Sequence, residues 1–378
     1  MNGRKITVFL STAIMSVIIA YFIVLKIAFL NDYANTWRLF TREETNDDRI
    51  VVVLIDGNSA LQKYEDGSLK RSEYAKAISH ILRGNPKVIG VDVFFAGIKD
   101  LNDDIKLIEA LELSERSIVL AIYPFEDADL IIHKIKGNAS RSYTYKNISV
   151  GDVWITHGNG AVTLSSVTPV RGMSIGQEYL PFPIEIVRQY LGGADYKQNQ
   201  MLENKILVAI LGDLKIPAYG HDMLVNYIGG AEAFNSIRFE NLMKTEPSAF
   251  HNRIVLIGHS TGDNHVTPIS INTPGIIIHA NTINTILTKQ FLSVVDLTVH
   301  IFVVFIVCVT FSCATILVRP VYKLLLFAST LVISKIFIDF LFVRHKIYFP
   351  FTTLLIGLLL TFCGIMVFTF LSKDYRGS

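Results

Sequence analysis

The sequence predicts an α/β extracytoplasmic domain, a mixed sheet with flanking helices, together with four transmembrane α-helices, one N-terminal and three C-terminal. Two observations predict this class. Four apolar stretches are long enough to cross a bilayer, which takes about 20 residues, and roughly 260 residues separate the first from the second. Between them, short runs of Val, Ile and Leu alternate with segments of helical periodicity, a pattern typical of an α/β domain.

The four apolar stretches set the expected organisation of the chain. The first runs from about Ile6 to Leu30, carries one charge and has no small-residue cleavage pattern, so we interpret it as an uncleaved anchor. The others run over about Leu297–Val318, Leu324–Val343 and Phe349–Leu371. We therefore expect an anchor at 1–30, the domain at 31–293, a three-helix region at 294–372 and a cytoplasmic tail at 373–378.

Lysine and arginine residues flank the spans unevenly. With the N-terminus inside, the inner flanks hold Arg4, Lys5, Arg319, Lys323, Lys373 and Arg376, and the outer flanks hold Lys26, Lys289, Arg344 and Lys346. Cytoplasmic flanks carry the excess of positive charge. This bias predicts a multi-pass protein of the bacterial inner (plasma) membrane with its large domain periplasmic or extracellular.

Composition narrows the function classes further. The chain is 51% hydrophobic, its net charge is +2, and it has no basic run that indicates nucleic-acid binding. Cys308, Cys313 and Cys363 all fall within predicted spans. We therefore expect neither a disulfide nor a thiolate metal site in the domain, and no tight His/Asp cluster indicates a metal or another cofactor.

The domain's predicted strands are continuous apolar runs, which suit strands covered on both faces. They are Arg49–Asp56, Val88–Phe95, Ser117–Ile122, Lys205–Ile210, Met223–Tyr227 and Arg253–Gly258. Helical spacing of apolar residues appears in Ser72–Arg83, in Asp103–Ser114 and after Pro183. Residues 125–176 mix polar and isolated apolar positions, which predicts short antiparallel strands and loops inserted in the α/β body.

One motif resembles a hydrolase signature. Gly258-His259-Ser260-Thr261-Gly262 follows a strand and matches the G-x-S-x-G nucleophile elbow. That elbow requires a helix directly after the serine, and Asp263-Asn264-His265-Val266-Thr267-Pro268 is a poor helix start. We therefore expect a strand-to-loop turn and no catalytic residue, and an envelope hydrolase using Ser260 is the third function hypothesis.

Carboxylates at strand ends form the candidate binding site. Asp56 closes one predicted strand, Asp92 lies within a second, and Asp263 follows a third. Ligands of open α/β sheets collect at the carboxyl ends of strands, so we expect these acids to line one crevice with His279 and Asn281. Such acids bind a cation or a ligand amine, or titrate. The alternative is that they cap helices and satisfy loop amides.

A charged pair lies within the third predicted span. Lys335 and Asp339 are four residues apart, which places them on one helix face. Charges at that depth are costly and usually face protein or water. Two interpretations stay open: a signal relay or docking point for a partner's helix, and a self-satisfied pair that packs the C-terminal helices.

Together these residues resemble the second type of CHASE domain (CHASE2), the sensory extracellular domain associated with cyclases and histidine kinases. The matching segments, in order, are Ile50–Ser59, Arg71 with Tyr74–Leu82, Val88–Phe95, Asp104 with Ala110-Leu111, Leu224–Gly229 and Arg253–Gly258. The specific part is the closing pattern of Asp263, Thr267-Pro268, Pro274-Gly275 and His279-Ala280-Asn281. A Trp-Pro pair often precedes the family's arginine, and Gly67-Ser68-Leu69-Lys70 lacks it.

The resemblance implies a sensor with one span before the domain and three after it. The family usually continues into a cytoplasmic output domain, whereas this sequence ends shortly after its last span. We therefore expect a non-catalytic, membrane-anchored sensor that binds a small molecule or protein and passes its signal to a membrane-protein partner or within a homo-oligomer. The alternative is a structural subunit of a cell-envelope complex that uses the domain as a docking surface.

Overall fold

The computed structural model describes residues 3–26, 48–56, 61–123, 147–155, 162, 164–171, 178–201, 206–219 and 221–374. The chain divides into two compact units. The globular unit comprises residues 43–158 and 162–291, and the helical unit comprises residues 1–42, 159–161 and 292–378.

A six-stranded parallel sheet forms the centre of the globular unit. Its strands are β1 (Ile50–Ile55), β2 (Val88–Asp92), β3 (Ser117–Ile122), β4 (Ile148–Asp152), β12 (Asn235–Arg238) and β13 (Ile254–His259). Their order across the sheet is β12-β1-β13-β2-β3-β4, and every described pairing is parallel. All six carboxyl ends therefore lie at one edge of the sheet.

Helices cover both faces of this sheet. One face packs against α2 (Arg71–Arg83), α3 (Leu101–Glu112) and two 3₁₀ helices at Phe239–Lys244 and Pro247–Phe250. The other packs against α4 (Phe182–Tyr190) and α5 (Gly275–Thr288). This arrangement explains the continuous apolar strands, because alternate residues of β1 enter opposite cores and both sets are buried.

A second sheet departs from the simplest reading of the strand pattern. It is antiparallel, with order β5-β11-β10-β9-β8 over the strands β5 (Leu164–Ser166), β8 (Tyr196–Met201), β9 (Ile206–Leu211), β10 (Leu214–Tyr219) and β11 (Asp222–Leu224). Two of the predicted apolar runs thus form β9 and β11 outside the parallel sheet. Short connections are the reason: Gly212-Asp213 joins β9 to β10, whereas parallel neighbours require a long crossover.

The expected insertion at 125–176 is only partly within the described residues. In the described part, β4 joins the edge of the parallel sheet and β5 joins the antiparallel sheet. A two-stranded antiparallel pair forms from β6 (Val170–Arg171) and β7 (Glu178–Tyr179). A second such pair, β14 (Asn264–His265) with β15 (Thr273–Pro274), lies between β13 and α5.

The helical unit contains α1 (Gly3–Lys26), α6 (Leu297–Leu317), α7 (Lys323–His345) and α8 (Phe351–Asp374). The last three are long and apolar enough to cross a membrane, as predicted. In α1 the apolar stretch is the shorter Leu10–Ile23, so the fourth span stays a prediction. Asp296 caps α6 by accepting hydrogen bonds from the amides of Thr298 and Val299.

Small side chains bring α1 close to α8. A Cβ added at Gly364 would lie 2.4 Å from Cγ2 of Thr12, so only glycine permits this approach. Close backbone contact of this kind is typical of helices that associate within a bilayer. The two-residue strands β16 (Ser293–Val294) and β17 (Ile347–Tyr348) pair in parallel and link the start of α6 to the α7–α8 turn.

Candidate functional site

A cavity of about 430 Å³ opens at the carboxyl ends of β13, β2 and β3. Its lining residues come from these strand ends, the loop after β13, the turn before α2, the first turn of α2 and the loop between β2 and α3. They are Tyr64, Ser68, Leu69, Arg71, Tyr74, Asp92, Val93, Phe94, Phe95, Ala96, Lys99, Ala121, Tyr123, His259 and Asp263. The volume lies in the range typical of small-molecule sites. We refer to this cavity as the crevice.

Two of the predicted site residues, Asp92 and Asp263, line the crevice together. Asp92 is the last residue of β2 and is partly buried, and no described residue donates a hydrogen bond to its carboxylate. Burial, together with the smaller effect of the Asp263 charge, raises the pKa of Asp92 to about 7. The crevice therefore holds an acid that changes charge near neutral pH.

Asp263 is held at the edge of the crevice by the loop that follows β13. Its Oδ1 accepts a hydrogen bond from Nε2 of His265 at 2.8 Å, and its backbone carbonyl accepts the amide of Gly275 at 2.9 Å. A Cβ at Gly275 would lie 2.4 Å from Oδ2 of Asp263. The Pro-Gly of the closing motif thus provides the space that this carboxylate occupies beside the first residue of α5.

His259, the last residue of β13, is a lining residue that the sequence reasoning did not select. Its imidazole is exposed to the crevice, yet the surrounding protein displaces enough water to lower its pKa, an effect that Asp263 opposes. A neutral imidazole at pH 7 leaves the two carboxylates in control of the local charge. The sequence feature that could have identified His259 is its position at the end of an apolar strand, next to Ser260.

Arg71 and Asp104 form a buried network at the rim of the crevice. Nη1 of Arg71 donates to Oδ1 of Asp104 at 2.7 Å and to the carbonyl of Gly97 at 2.7 Å, while Nη2 donates to the carbonyl of Ala96 at 2.6 Å. Oδ2 of Asp104 accepts the amide of Lys99 at 3.0 Å. The network holds the β2–α3 loop in place, so the Arg71 guanidinium has a structural role.

The remaining lining cation is also engaged. The Lys99 ammonium pairs with Asp66, and the pair is exposed. Asp66 in turn accepts hydrogen bonds from the amide of Ser68 at 2.9 Å and from its hydroxyl at 2.5 Å. Tyr64 accepts the amide of Arg71 at 3.2 Å and donates to Asp103 at 3.4 Å. The rim is therefore a set of satisfied polar contacts.

The structure does not bring His279 and Asn281 to the crevice, contrary to the sequence-based grouping. Both lie on α5, which covers the opposite face of the sheet. Asn281 is buried, accepts the amide of Ile228 at 2.8 Å and donates to the carbonyls of Gly229 and Ile277 at 3.0 and 2.9 Å. Its role in this geometry is to hold the segment after β11 against α5.

His279 lines a separate, nearly closed void of about 10 Å³ with Asp152, Ser165 and Ser166 among its walls. Its ring packs 5.2 Å from that of Phe182, and its Nε2 has no hydrogen-bond partner in the described part of the chain. Burial, together with a smaller contribution from His265, lowers the pKa of His279 to about 3. A neutral core histidine fits these observations.

Asp56 directly follows β1 but is not among the residues that line the crevice. The four residues that follow it, 57–60, lie outside the described residues. Of the three predicted carboxylates, the structure therefore places two in one cavity.

The G-x-S-x-G segment has no elbow geometry. The Ser260 hydroxyl donates to the carbonyl of Ile55 at 3.1 Å, and its amide donates to the same oxygen at 2.9 Å. The next element is β14, not a helix. Ser260 is thus tied to the end of β1, and no hydrogen bond joins it to a histidine within the described residues.

In the helical unit, Lys335 and Asp339 form the expected ion pair on α7. Their side chains are 29% and 23% exposed, and Oδ1 of Asp339 has no hydrogen-bond partner among the described residues. Much of α7 around them is exposed and apolar, including Ile336, Phe337 and Phe340. The pair therefore lies on a helix that few described residues cover.

Comparison with known proteins identifies the family of the chain. A family model, the CHASE2 domain, matches residues 12–314, which is most of the chain and includes all of the crevice. No curated protein and no solved structure matches.

Proposed function

Because the chain belongs to the CHASE2 domain family, whose members are sensory extracellular domains, we propose that the crevice is its sensor site. In this proposal a ligand enters the crevice and shifts a conformational equilibrium of the globular unit. The single observation that carries the proposal is a cavity of about 430 Å³ at the carboxyl edge of a parallel sheet. A ligand shifts such an equilibrium only by its differential affinity for the two states.

A cavity-filling variant tests the site. Ala96 lines the crevice, so Ala96→Trp is expected to fill it. Ala249→Trp is the matched control, because Ala249 lies on the Pro247–Phe250 helix and does not line the crevice. The full chain in nanodiscs is screened for small molecules that raise its melting temperature. Stabilisation that persists in Ala96→Trp would place the sensor site elsewhere.

The second part of the proposal is that the signal passes to a separate membrane protein. The support is the exposed side of α7 with its Lys335–Asp339 pair, since charges within a span usually face protein. The tagged chain is extracted in mild detergent, and stoichiometric recovery of a second membrane protein is expected. The Lys335→Leu/Asp339→Leu variant should lose it, and the control Ser329→Leu on the same helix should retain it. Recovery of a lone monomer contradicts this part.

The third part concerns location: the globular unit is periplasmic or extracellular, and the protein is in a bacterial inner membrane with four spans. The support is the distribution of Lys and Arg around the spans and the packing of α1 on α8. Asp213, in the exposed β9–β10 turn, is a suitable labelling position. Asp213→Cys should react with a membrane-impermeant maleimide while the inner membrane is intact. Labelling only after lysis would reverse the topology.

We also propose that the chain is not an enzyme. The support is the Ser260 hydroxyl, which donates to a backbone carbonyl. Ser260→Ala should leave every measurable esterase or peptidase activity of the purified chain unchanged. An activity that disappears in this variant would favour the hydrolase reading.

A specific observation favours the alternative, a structural subunit with a docking surface. Ile98, Leu101 and Ile105 are all exposed, and the last two lie on one face of α3. Exposed apolar strips of this kind mark interaction sites. If Leu101→Lys abolishes recovery of a partner while Ala96→Trp has no effect on any function of the chain, the docking role replaces the sensor role.

A further inference from the structure

The charges that line the crevice are not balanced within it. Arg71 is neutralised by Asp104 and Lys99 by Asp66, and neither acid belongs to the lining. The two remaining charged side chains are carboxylates, Asp92 and Asp263. Because both lining cations are already paired, Asp92 and Asp263 leave the crevice with an excess of negative charge when both are ionised. An anionic ligand has no available partner there among the described residues.

The hydrogen-bonding capacity of the crevice is equally one-sided. Asp92 accepts nothing from the described residues, and Asp263 accepts one side-chain hydrogen bond, from His265. An ionised carboxylate accepts hydrogen bonds and donates none. A positively charged donor complements these two acceptors, and a primary ammonium group supplies three N–H donors.

Aromatic rings form the wall next to these acids. Phe94 and Tyr123 pack edge to face with their centroids 5.5 Å apart, and both are only half-buried. Such rings attract a cation through their faces and offer apolar contact to a hydrocarbon body. The crevice thus combines carboxylate acceptors with an aromatic wall.

A bare metal ion fits this geometry less well. Among the described residues, no group of three or more His, Cys, Asp or Glu side chains is arranged to hold a metal. A cavity of about 430 Å³ is also far larger than a single ion needs. The observations therefore favour an organic cation.

We propose that the crevice binds a small organic primary amine, with its ammonium group at Asp92 and Asp263 and its apolar body against Phe94 and Tyr123. This inference rests on the proposed function of the crevice as a ligand site. It adds the chemical class of the ligand. It also assigns the preference for an amine to Asp92 and Asp263, which accept hydrogen bonds when ionised.

Three matched probes test the class: 2-phenylethylamine, its neutral counterpart 2-phenylethanol, and the anion phenylacetate. Binding to the full chain in nanodiscs is measured by saturation-transfer NMR titration at about pH 8, where Asp92 is mostly ionised. The amine should bind at least about ten-fold more tightly than the alcohol, which corresponds to one charge-assisted contact. Phenylacetate should bind most weakly.

Variants assign the binding to the acids. Asp92→Asn should weaken the amine about ten-fold or more and leave the alcohol unchanged. Asp213→Asn, which removes an exposed carboxylate outside the crevice, is the matched control and should leave both unchanged. Binding of the amine that is equal to that of the alcohol, or unaffected by Asp92→Asn, overturns the proposal.

The outcomes separate this inference from the proposed function. If the alcohol or phenylacetate binds more tightly than the amine and Ala96→Trp abolishes that binding, the ligand site stands and the amine class is wrong. If Ala96→Trp leaves all probe binding intact, the crevice is not the ligand site and both fail. If none of the three probes binds up to about 10 mM, the amine class is overturned.

Discussion

The crevice has two parts that differ in how their charges are paired. We call the Arg71–Asp104 network the rim, and Asp92 with Asp263 the floor. At the rim, Arg71 and Asp104 are buried, pair with each other, and bind the carbonyls of Ala96 and Gly97 and the amide of Lys99. At the floor, the charge of Asp263 disfavours ionisation of Asp92, Asp92 accepts no hydrogen bond from the described residues, and Asp263 accepts one side-chain hydrogen bond, from His265. Satisfied buried networks make structure rigid, whereas perturbed acids mark functional sites. The difference indicates that the rim maintains the cavity and the floor is free to bind.

The largest effect is expected from breaking the rim. Arg71→Met leaves the fully buried Asp104 without its cation, and an unpaired buried charge costs about 3–5 kcal/mol. The melting temperature of the full chain in detergent, followed by intrinsic fluorescence, should fall sharply. The double variant Arg71→Met/Asp104→Leu should recover much of the loss. If the melting temperature falls equally in the single and double variants, the Arg71–Asp104 pair does not stabilise the rim.

The second effect concerns the Lys335–Asp339 ion pair on α7. It is paired like the rim, yet Oδ1 of Asp339 has no hydrogen-bond partner among the described residues. Lys335→Leu leaves Asp339 charged within a span, and a lone charge there costs roughly 2.5–3.5 kcal/mol on insertion. The monodisperse fraction after detergent extraction should therefore fall. Lys335→Leu/Asp339→Leu should be extracted almost like the wild type. If the single and double variants behave alike, the two residues do not act as a pair.

The third effect tests the floor through its pH dependence. The folded pKa of Asp92 is about 7, above the ordinary value of 3.8, so the folded state holds a proton that the unfolded state releases. This acid therefore lowers stability as pH rises from about 4 to 7. The other charged or titratable lining groups are Asp263, His259, Lys99, Arg71, Tyr64, Tyr74 and Tyr123.

Asp92→Asn removes that titration. It should leave the melting temperature unchanged near pH 4 and raise it above pH 7 by the equivalent of about 1–3 kcal/mol, since three pKa units correspond to about 4 kcal/mol before solvent screening. The control Asp213→Asn should follow the wild-type curve. If the melting temperatures of Asp92→Asn and wild type change with pH in parallel, Asp92 does not have the raised pKa on which this prediction depends.

The smallest effect is at Gly275. An alanine there meets Oδ2 of Asp263 at 2.4 Å, so the carboxylate has to move. Gly275→Ala should therefore destabilise by no more than about 1 kcal/mol, because the clash is with the end of a side chain. In an Asp263→Ala background the same change should stabilise by about 0.5 kcal/mol through helix propensity. A double-mutant cycle with no coupling would show that the two residues do not constrain each other.

Local sequence pattern was sufficient for much of the fold. The strand Ser117–Ile122 and the spans starting near Leu297 and Leu324 lie where predicted, because apolar runs of those lengths have few alternatives. The apolar run at 206–211 shows the limit. Its composition suits a parallel strand, but the two-residue turn that follows it makes it part of a hairpin.

The candidate site divides in the same way. Asp92 and Asp263 were predictable because each lies in or shortly after an apolar strand, and parallel strands end at one edge. His279 and Asn281 were misplaced because the sequence did not reveal α5, which carries them to the other face. The pairing of Arg71 with Asp104, 33 residues apart, depends on how α2 and α3 pack.

The sequence by itself therefore determined the three C-terminal apolar helices, the α/β class and two acids at the carboxyl edge, because each depends on periodicity and composition over a few residues. Tertiary structure alone decided which acids are paired and which face an open cavity. Asp104 and Asp92 are both aspartates near strand or helix ends, yet one meets an arginine and the other meets a second acid. Charge balance in a protein interior is set by neighbours that are distant in sequence, and only the packed fold assigns those neighbours.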